Sequence, residues 1–176
     1  MKPYLVNLFV LSVLFLTSSV SVTGQTKKAC DLVSVEQLNK LLSTNLIYDK
    51  NSIINRNGKF ECRYTDSKLP GTYIAIGLLS SKIQYGYDLL ETDFKSNKQS
   101  ITSGSKAGGK FTKFVAFPAG GGNAFYMTAE KTDFSAEAYV LKFRNGEYII
   151  TVSSENIPVQ LLIAKTSEIY RLFGKL

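Results

Sequence analysis

Two cysteines, Cys30 and Cys62, are the only ones in the chain, and they constrain its fold more than any other feature. Cys62 lies in the segment 59–65, KFECRYT, whose alternation places it with two aromatic residues on the inner face of a predicted half-buried strand. A disulfide to Cys30 would tie that face to the start of the first predicted helix. Closing a loop of this length stabilises a fold by roughly 3–4 kcal/mol. The alternative is two unpaired, buried thiols.

The residues after the first cysteine predict a helix start from three patterns that agree. Ser34 and Gln37 have the spacing of a capping box, in which each side chain satisfies a backbone N–H near the other. Val33 and Leu38 have the spacing of a hydrophobic staple across that cap. Apolar residues then recur at the three- and four-residue steps of one helical face. We therefore predict a short helix from about Val35 to Ser43.

The first 24 residues predict a secretory signal peptide. Lys2 is followed by an apolar run of about a dozen residues and then by small residues that end at Gly24. The run is short for a membrane span, which needs about 20 apolar residues, and no later stretch predicts a transmembrane segment. We expect removal of residues 1–24, a short tail over residues 25–29 and a single domain over residues 30–174. The predicted product is soluble and exported, either to a periplasm or out of the cell.

Lipidation of Cys30 is the alternative fate of an exported cysteine near the new N-terminus. Lys27-Lys28-Ala29 precedes it and lies well past the apolar run. This segment lacks the apolar and small residues that a lipidation site requires, so the sequence favours the unlipidated product.

The charged residues of the chain are mostly positive, with 21 Lys and Arg against 14 Asp and Glu and a net charge of +7. This excess predicts weak attraction to anionic surfaces. No recognition motif or focused basic helix is present, so we expect no nucleic-acid partner. The chain has no histidine, which removes the commonest general base and the commonest metal ligand. We assign no catalytic residue, no metal ligand and no cofactor.

Periodicity along the rest of the chain predicts an α+β fold. The predicted strands cover residues 59–65, 72–79, 114–117, 124–129, 136–143 and 148–152, and the predicted helices cover 35–43, 83–95 and 158–173. The strand at 72–79 is apolar on both faces, which indicates a central position, and Asn145-Gly146 is a strong hairpin signal. We predict one domain with an antiparallel sheet of about six strands and three helices packed on it. Two unequal αββ-type halves would also produce this order.

Two segments read as loops. Residues 45–58 are rich in Asn and end in a tight-turn pair, which predicts a surface loop. Residues 96–110 are rich in Gly, Ser and Lys and are predicted to be the least structured part. Asp88 and Glu91, with Lys95 one turn on, are expected to form a solvated stripe of salt bridges on the helix between these loops rather than a catalytic carboxylate pair.

Two catalytic patterns can be aligned with the second loop, and both fail on chemistry. Gly104 to Lys110 has the spacing of a phosphate-binding loop, but Phe111 replaces the residue that would hold magnesium. A strand is predicted to follow, so no helix N-terminus would receive the phosphates. Ser103 and Lys106 match the Ser-x-x-Lys of penicillin-binding enzymes, whose other two motifs are absent from this chain.

The candidate ligand residues are Tyr85 and Tyr87, with Lys106 and Lys110 from the Lys-rich loop. Aromatic rings beside lysines suit an aromatic, glycan or anionic ligand. The alternative is that these rings pack in the core and at its rim.

A family resemblance rests on three parts of the chain. They are Cys30-Asp31-Leu32-Val33-Ser34-x-x-Gln37, then Cys62-Arg63-Tyr64 on the next strand, and a Gly-rich turn before Ala124-Phe125-Tyr126. With the export signal and the closing strand and helix, they resemble a group of small exported bacterial domains of unknown function. Members of that group occur as lipoproteins or extracellular sensor-like modules. This chain departs from the lipoprotein members because no lipidation cysteine precedes the domain, and the resemblance assigns no functional residue.

These observations predict an exported, non-enzymatic domain that binds a ligand or a protein at the cell envelope. A histidine-independent hydrolase, such as a glycan-acting enzyme with two carboxylates, is the first alternative. Its carboxyl groups would face each other across a cleft at roughly 5–10 Å. An envelope inhibitor or structural subunit is the second alternative, and it would show an exposed apolar patch or an open sheet edge.

Overall fold

The computed structural model describes residues 29–50, 54–56, 59–80, 88–118 and 123–173. A 3-10 helix, Ala29–Asp31, precedes three α-helices and eight strands. The α-helices are α1 (Val35–Leu42), α2 (Leu89–Thr102) and α3 (Val159–Phe173). The strands are β1 (Leu46–Tyr48), β2 (Ile54–Arg56), β3 (Lys59–Asp66), β4 (Tyr73–Ser80), β5 (Lys113–Ala116), β6 (Phe125–Ala129), β7 (Ala138–Asn145) and β8 (Tyr148–Glu155). The predicted signal peptide and Gly174 lie outside the described residues.

The eight strands of the described residues form one antiparallel sheet, which confirms the predicted α+β class. The strand order is β1-β3-β4-β8-β7-β6-β5, and β2 pairs with the other half of β3, beside β1 on the same edge. The apolar strand β4 lies inside the sheet between β3 and β8, as its composition predicted. The hairpin between β7 and β8 pairs Asn145 with Tyr148, and Gly146 adopts the positive φ of 56° that the turn requires.

The surface loop predicted for residues 45–58 is wrong in part, because it contains β1 and β2. Each strand has three residues, too few to show alternation in the sequence. The position of β1 is fixed by hydrogen bonds from a side chain of α1. The Asn39 side chain of α1 accepts from the backbone N–H of Leu46 at 2.7 Å and donates to its carbonyl at 2.9 Å, and Leu46 is buried.

The two faces of the sheet carry different layers. Helices α1 and α3 cover one face, where the larger apolar cluster includes Leu38 of α1, Leu141 of β7 and Leu162 of α3. Helix α2 and the segment after it cover the opposite face over β5 to β8, where the cluster includes Leu90 and Phe125. In the described residues, four strands follow α1 and four follow α2, but the two helices lie on opposite faces of the sheet. Among the described residues, no helix is long and apolar enough to cross a membrane.

Helix α2 differs from its prediction at both ends. It begins at Leu89 with Asp88 as its N-cap, whose carboxylate accepts from the backbone N–H of Glu91 at 3.1 Å. Residues 83–87, where the sequence predicted the helix to begin, are outside the described residues. The helix extends through residues 96–102, which the sequence assigned to the flexible loop. Ile101 packs against the cluster under α2, and this contact holds a turn whose polar sequence gives no helical period.

Candidate functional site: a pocket beside the disulfide

The structure joins Cys30 and Cys62, with their Cα atoms 5.2 Å apart. Cys30 sits in the 3-10 helix just before α1, and Cys62 points from β3 into the core. The capping box between them forms as predicted, since Gln37 N–H donates to Ser34 Oγ at 3.2 Å and Ser34 N–H donates to Gln37 Oε1 at 2.9 Å. The disulfide therefore fixes the entrance of α1 against the edge of the sheet.

A pocket of about 520 Å³ opens beside this disulfide. Volumes of roughly 300–1,000 Å³ are typical of sites for small molecules. The described residues that line it come from the 3-10 helix, the start of α1, β1 and β3: Ala29, Cys30, Asp31, Val33, Ser34, Val35, Tyr48, Phe60, Glu61 and Tyr64. We call it the disulfide pocket.

Two tyrosines hold fixed positions in the pocket wall. The Tyr48 and Tyr64 rings lie 5.9 Å apart between centroids at an angle of 51°. Tyr64 donates its hydroxyl hydrogen to the carbonyl oxygen of Val33 at 3.1 Å. The Tyr48 hydroxyl lies 3.4 Å from Cys30 Sγ and must be the donor, because a disulfide sulfur carries no hydrogen. Both hydroxyls thus bond to the protein, and the pocket is walled mainly by apolar atoms.

The pocket has an acidic margin. Burial, followed by the charges of Tyr48, Asp31 and Glu36, raises the pKa of Tyr64 to about 12. Glu36, in the first turn of α1, keeps its charge more readily, since hydrogen bonds from its own backbone N–H and from Ser34 lower its pKa. The acidic residues that line the pocket itself are Asp31 and Glu61, and the Glu61 carboxylate lies 3.9 Å from Arg63 Nη2. The pocket combines aromatic walls with carboxylates at its rim.

Of the four residues predicted as a ligand platform, the structure describes two, and both line a different cavity. Tyr85 and Tyr87 are outside the described residues. Lys106 and Lys110 do share one cavity, of about 470 Å³, which is also lined by the fully exposed Phe134. Lys110 pairs with Glu155, and its ammonium lies 5.5 Å from the centroid of its neighbour's ring, Phe111. The structure thus brings the two lysines together, in a cavity whose described lining differs from that of the disulfide pocket.

Sequence reasoning predicted no pocket beside the disulfide, but it placed two of the lining residues correctly. The alternation of β3 placed Phe60 and Tyr64 on the face of Cys62, and both line the pocket. It missed Tyr48, because the segment that carries this residue read as a loop. The signal that could have found it is the short run Leu46-Ile47-Tyr48, whose apolar and β-branched residues favour a strand.

Among the described residues, no three His, Cys, Asp or Glu side chains lie close enough together to hold a metal ion. No protein-family model matches the chain, and no curated protein matches it either.

Proposed function

We propose that this chain is an exported, non-enzymatic binding domain of the cell envelope, and that the disulfide pocket is its ligand site. The observation that carries the proposal is a pocket with three aromatic side chains, Tyr48, Phe60 and Tyr64, built directly on a disulfide. Disulfides persist in oxidising compartments outside the cytosol, which agrees with the predicted signal peptide. The resemblance to exported sensor-like modules supports the same proposal without assigning a residue.

The chemistry of the pocket favours binding over catalysis. The Tyr64 hydroxyl has a pKa of about 12 and donates to a backbone carbonyl, so it remains protonated at neutral pH and cannot act as a base. The Tyr48 hydroxyl donates to a disulfide sulfur. A disulfide sulfur is not a free thiolate, and it therefore offers no nucleophile. A ligand would meet mostly rings and alkyl groups, which suits selection by shape and apolar contact.

The proposal can be tested by native mass spectrometry of residues 25–176 after incubation with an extract of envelope small molecules. We expect an added mass on the wild-type protein and its loss in Val35→Trp, which puts an indole into the pocket wall. Ser167→Trp, at an exposed position of α3, is the matched control and should keep the added mass. Added mass that survives Val35→Trp, in a variant whose circular dichroism shows it is folded, would contradict this placement.

A histidine-independent hydrolase is the second candidate function, and one observation favours it. Asp31 and Glu61 both line the disulfide pocket, and two carboxylates in one cleft are the minimum equipment of a glycosidase. The test is hydrolysis of cell-wall glycan by the wild-type protein and by Glu61→Gln. Turnover that the substitution abolishes would replace the binding proposal with the enzymatic one.

A further inference from the structure

The pocket is acidic in a chain that is basic as a whole. The net charge is +7, yet the charged residues among the described lining of the disulfide pocket are Asp31 and Glu61, with no Lys or Arg. Arg63 follows two of the lining residues on β3, but its guanidinium lies 4.4 Å from the centroid of the Tyr73 ring. Alternation puts Arg63 and Tyr64 on opposite faces of the strand. The same alternation puts Glu61 on the face of Arg63, although Glu61 is among the lining residues. A bound cation would therefore meet the Asp31 carboxylate at the rim, with Glu61 at the margin of the pocket.

The aromatic side chains of the pocket add a second attraction of the same sign. An organic cation held within about 6 Å of an aromatic ring is stabilised by the ring's quadrupole, and cages of several rings bind quaternary ammonium groups. Tyr48, Phe60 and Tyr64 supply three rings around one cavity. Both tyrosine hydroxyls are held by protein acceptors, so their hydrogens are not offered to an anion.

A third observation shows the sign of the local field. The carboxylates of Asp31 and Glu36 both add to the rise in the pKa of Tyr64, after burial and the neighbouring Tyr48. The phenol thus experiences negative charge on this side of the protein. A cation bound beside it should lower that pKa again.

We propose that the ligand of the disulfide pocket is a small organic cation, an ammonium group carried on an apolar body. This inference rests on the proposed function and adds the ligand class to it. The cavity volume of about 520 Å³ suits one compact ligand. The ammonium lies among the rings and near Asp31, and the apolar body packs against Val33, Val35 and the disulfide.

Three probes of nearly equal shape test the charge requirement on the exported protein, residues 25–176. They are phenyltrimethylammonium, its neutral isostere tert-butylbenzene and the anion 4-tert-butylbenzoate, titrated while the ring resonances of Tyr48 and Tyr64 are followed by NMR. We expect the cation to bind at least tenfold more tightly than the neutral probe, and the anion not to bind. Saturation with the cation should also move the Tyr64 ionisation to lower pH, read as the difference from Tyr64→Phe.

Charge variants locate the effect. Asp31→Asn combined with Glu61→Gln should weaken binding of the cation at least fivefold and leave the affinity for the neutral probe unchanged. The matched control is Glu130→Gln with Asp133→Asn, which removes two exposed carboxylates and should change neither. If the double variant does not fold, Asp31→Asn alone replaces it in the titration, because Asp31 is exposed and its substitution should not unfold the protein.

The outcomes separate the two proposals. Equal binding of the cation and the neutral probe at the tyrosines would overturn the cation inference and leave the ligand pocket in place. Absence of any shift at Tyr48 and Tyr64 with all three probes would overturn both. Binding that appears only after Lys27→Ser with Lys28→Ser would identify the chain's own basic tail as the occupant and overturn the free-ligand proposal.

Discussion

The two faces of the sheet are held by different interactions. On the α1 and α3 face, a disulfide and a continuous apolar cluster fasten the helices, and the Tyr139 hydroxyl bonds to Thr166 of α3 at 2.9 Å inside that cluster. On the opposite face, α2 buries only Leu90 fully among its residues. A group of three rings, Phe94, Phe114 and Phe125, holds its middle, with centroids 5.0–5.9 Å apart.

Ion pairs complete the attachment of α2. Lys142 of β7 pairs with Asp93, and Arg144 of the same strand pairs with Asp88 at 2.7 Å. These side chains are 24–42% exposed, so each pair is screened by solvent and contributes about 0–1 kcal/mol. The comparison teaches that one face should respond to reductant and the other to salt. The disulfide pocket lies at the edge of the first face, which gives a binding site the more rigid support.

The largest expected effect is loss of the disulfide. The Cys30→Ser and Cys62→Ser double variant should lose roughly 3–4 kcal/mol of unfolding free energy, because the bond closes a loop with a sequence separation of 32. The measurement is urea denaturation, with reductant added to both proteins. Reductant should destabilise the wild type to the level of the variant and leave the variant unchanged. Equal midpoints for the wild type and the variant without reductant would remove the disulfide from the comparison.

Alkaline pH should open the α1 and α3 face. Burial raises the pKa of Tyr64 to about 12, and burial also raises the pKa of Tyr139. An unfolded tyrosine titrates near 10, so stability is fully present below about pH 10 and falls by about 1.4 kcal/mol per pH unit for each such tyrosine as the pH rises towards 12. Thermal melting from pH 8 to 11.5 measures this. Tyr64→Phe should flatten the slope, and an unchanged slope would contradict the role of this phenol.

The two helix N-caps offer a matched pair, one on each face. Ser34→Ala should cost about 1 kcal/mol, because it removes the Oγ that accepts from Gln37 N–H. Asp88→Ala should cost about the same for its cap, plus the ion pair with Arg144. Asp88→Asn keeps a capping oxygen and isolates the ion pair. Chemical denaturation of the three variants measures these differences, and a larger loss in Asp88→Asn than in Ser34→Ala would reverse the expected order.

The smallest expected effect is at the α2 ion pairs. Lys142→Met should cost under about 1 kcal/mol in dilute buffer and nothing measurable in 1 M NaCl, where charges are screened within about 3 Å. Hydrogen exchange of the amides of α2 should quicken in the variant at low salt, while exchange in α1 stays constant. Faster exchange in both helices would show that the two faces open together, and the distinction between them would then fail.

Local patterns in the sequence predicted much of this fold. The start of α1 follows from Ser34 and Gln37, which lie within one turn of each other, and the hairpin follows from Asn145-Gly146. The burial of alternate residues in β7 and β8 follows from a period of two, which one strand displays by itself. Such features depend on residues that lie a few positions apart, so the sequence alone shows which residues interact.

Contacts between distant segments decided the remainder. The last turns of α2 depend on Ile101 meeting the second apolar cluster, and β1 depends on the Asn39 side chain of α1. In the candidate site, Cys62, Phe60 and Tyr64 could be placed on one face in advance. Tyr48 could not, because its position depends on a three-residue strand pairing with β3.

The sequence by itself determined the class of the fold, the helix caps, the hairpin and the partners of a disulfide with only two cysteines to join. The tertiary structure alone decided which faces the helices cover, where α2 ends and that a pocket with an acidic rim forms beside the disulfide. The physical reason is the separation along the chain of the residues that interact. Hydrogen-bonded caps and side-chain alternation act within a few residues, whereas a cavity exists only where Ala29, Tyr48 and Tyr64, far apart in the chain, are packed around the same space.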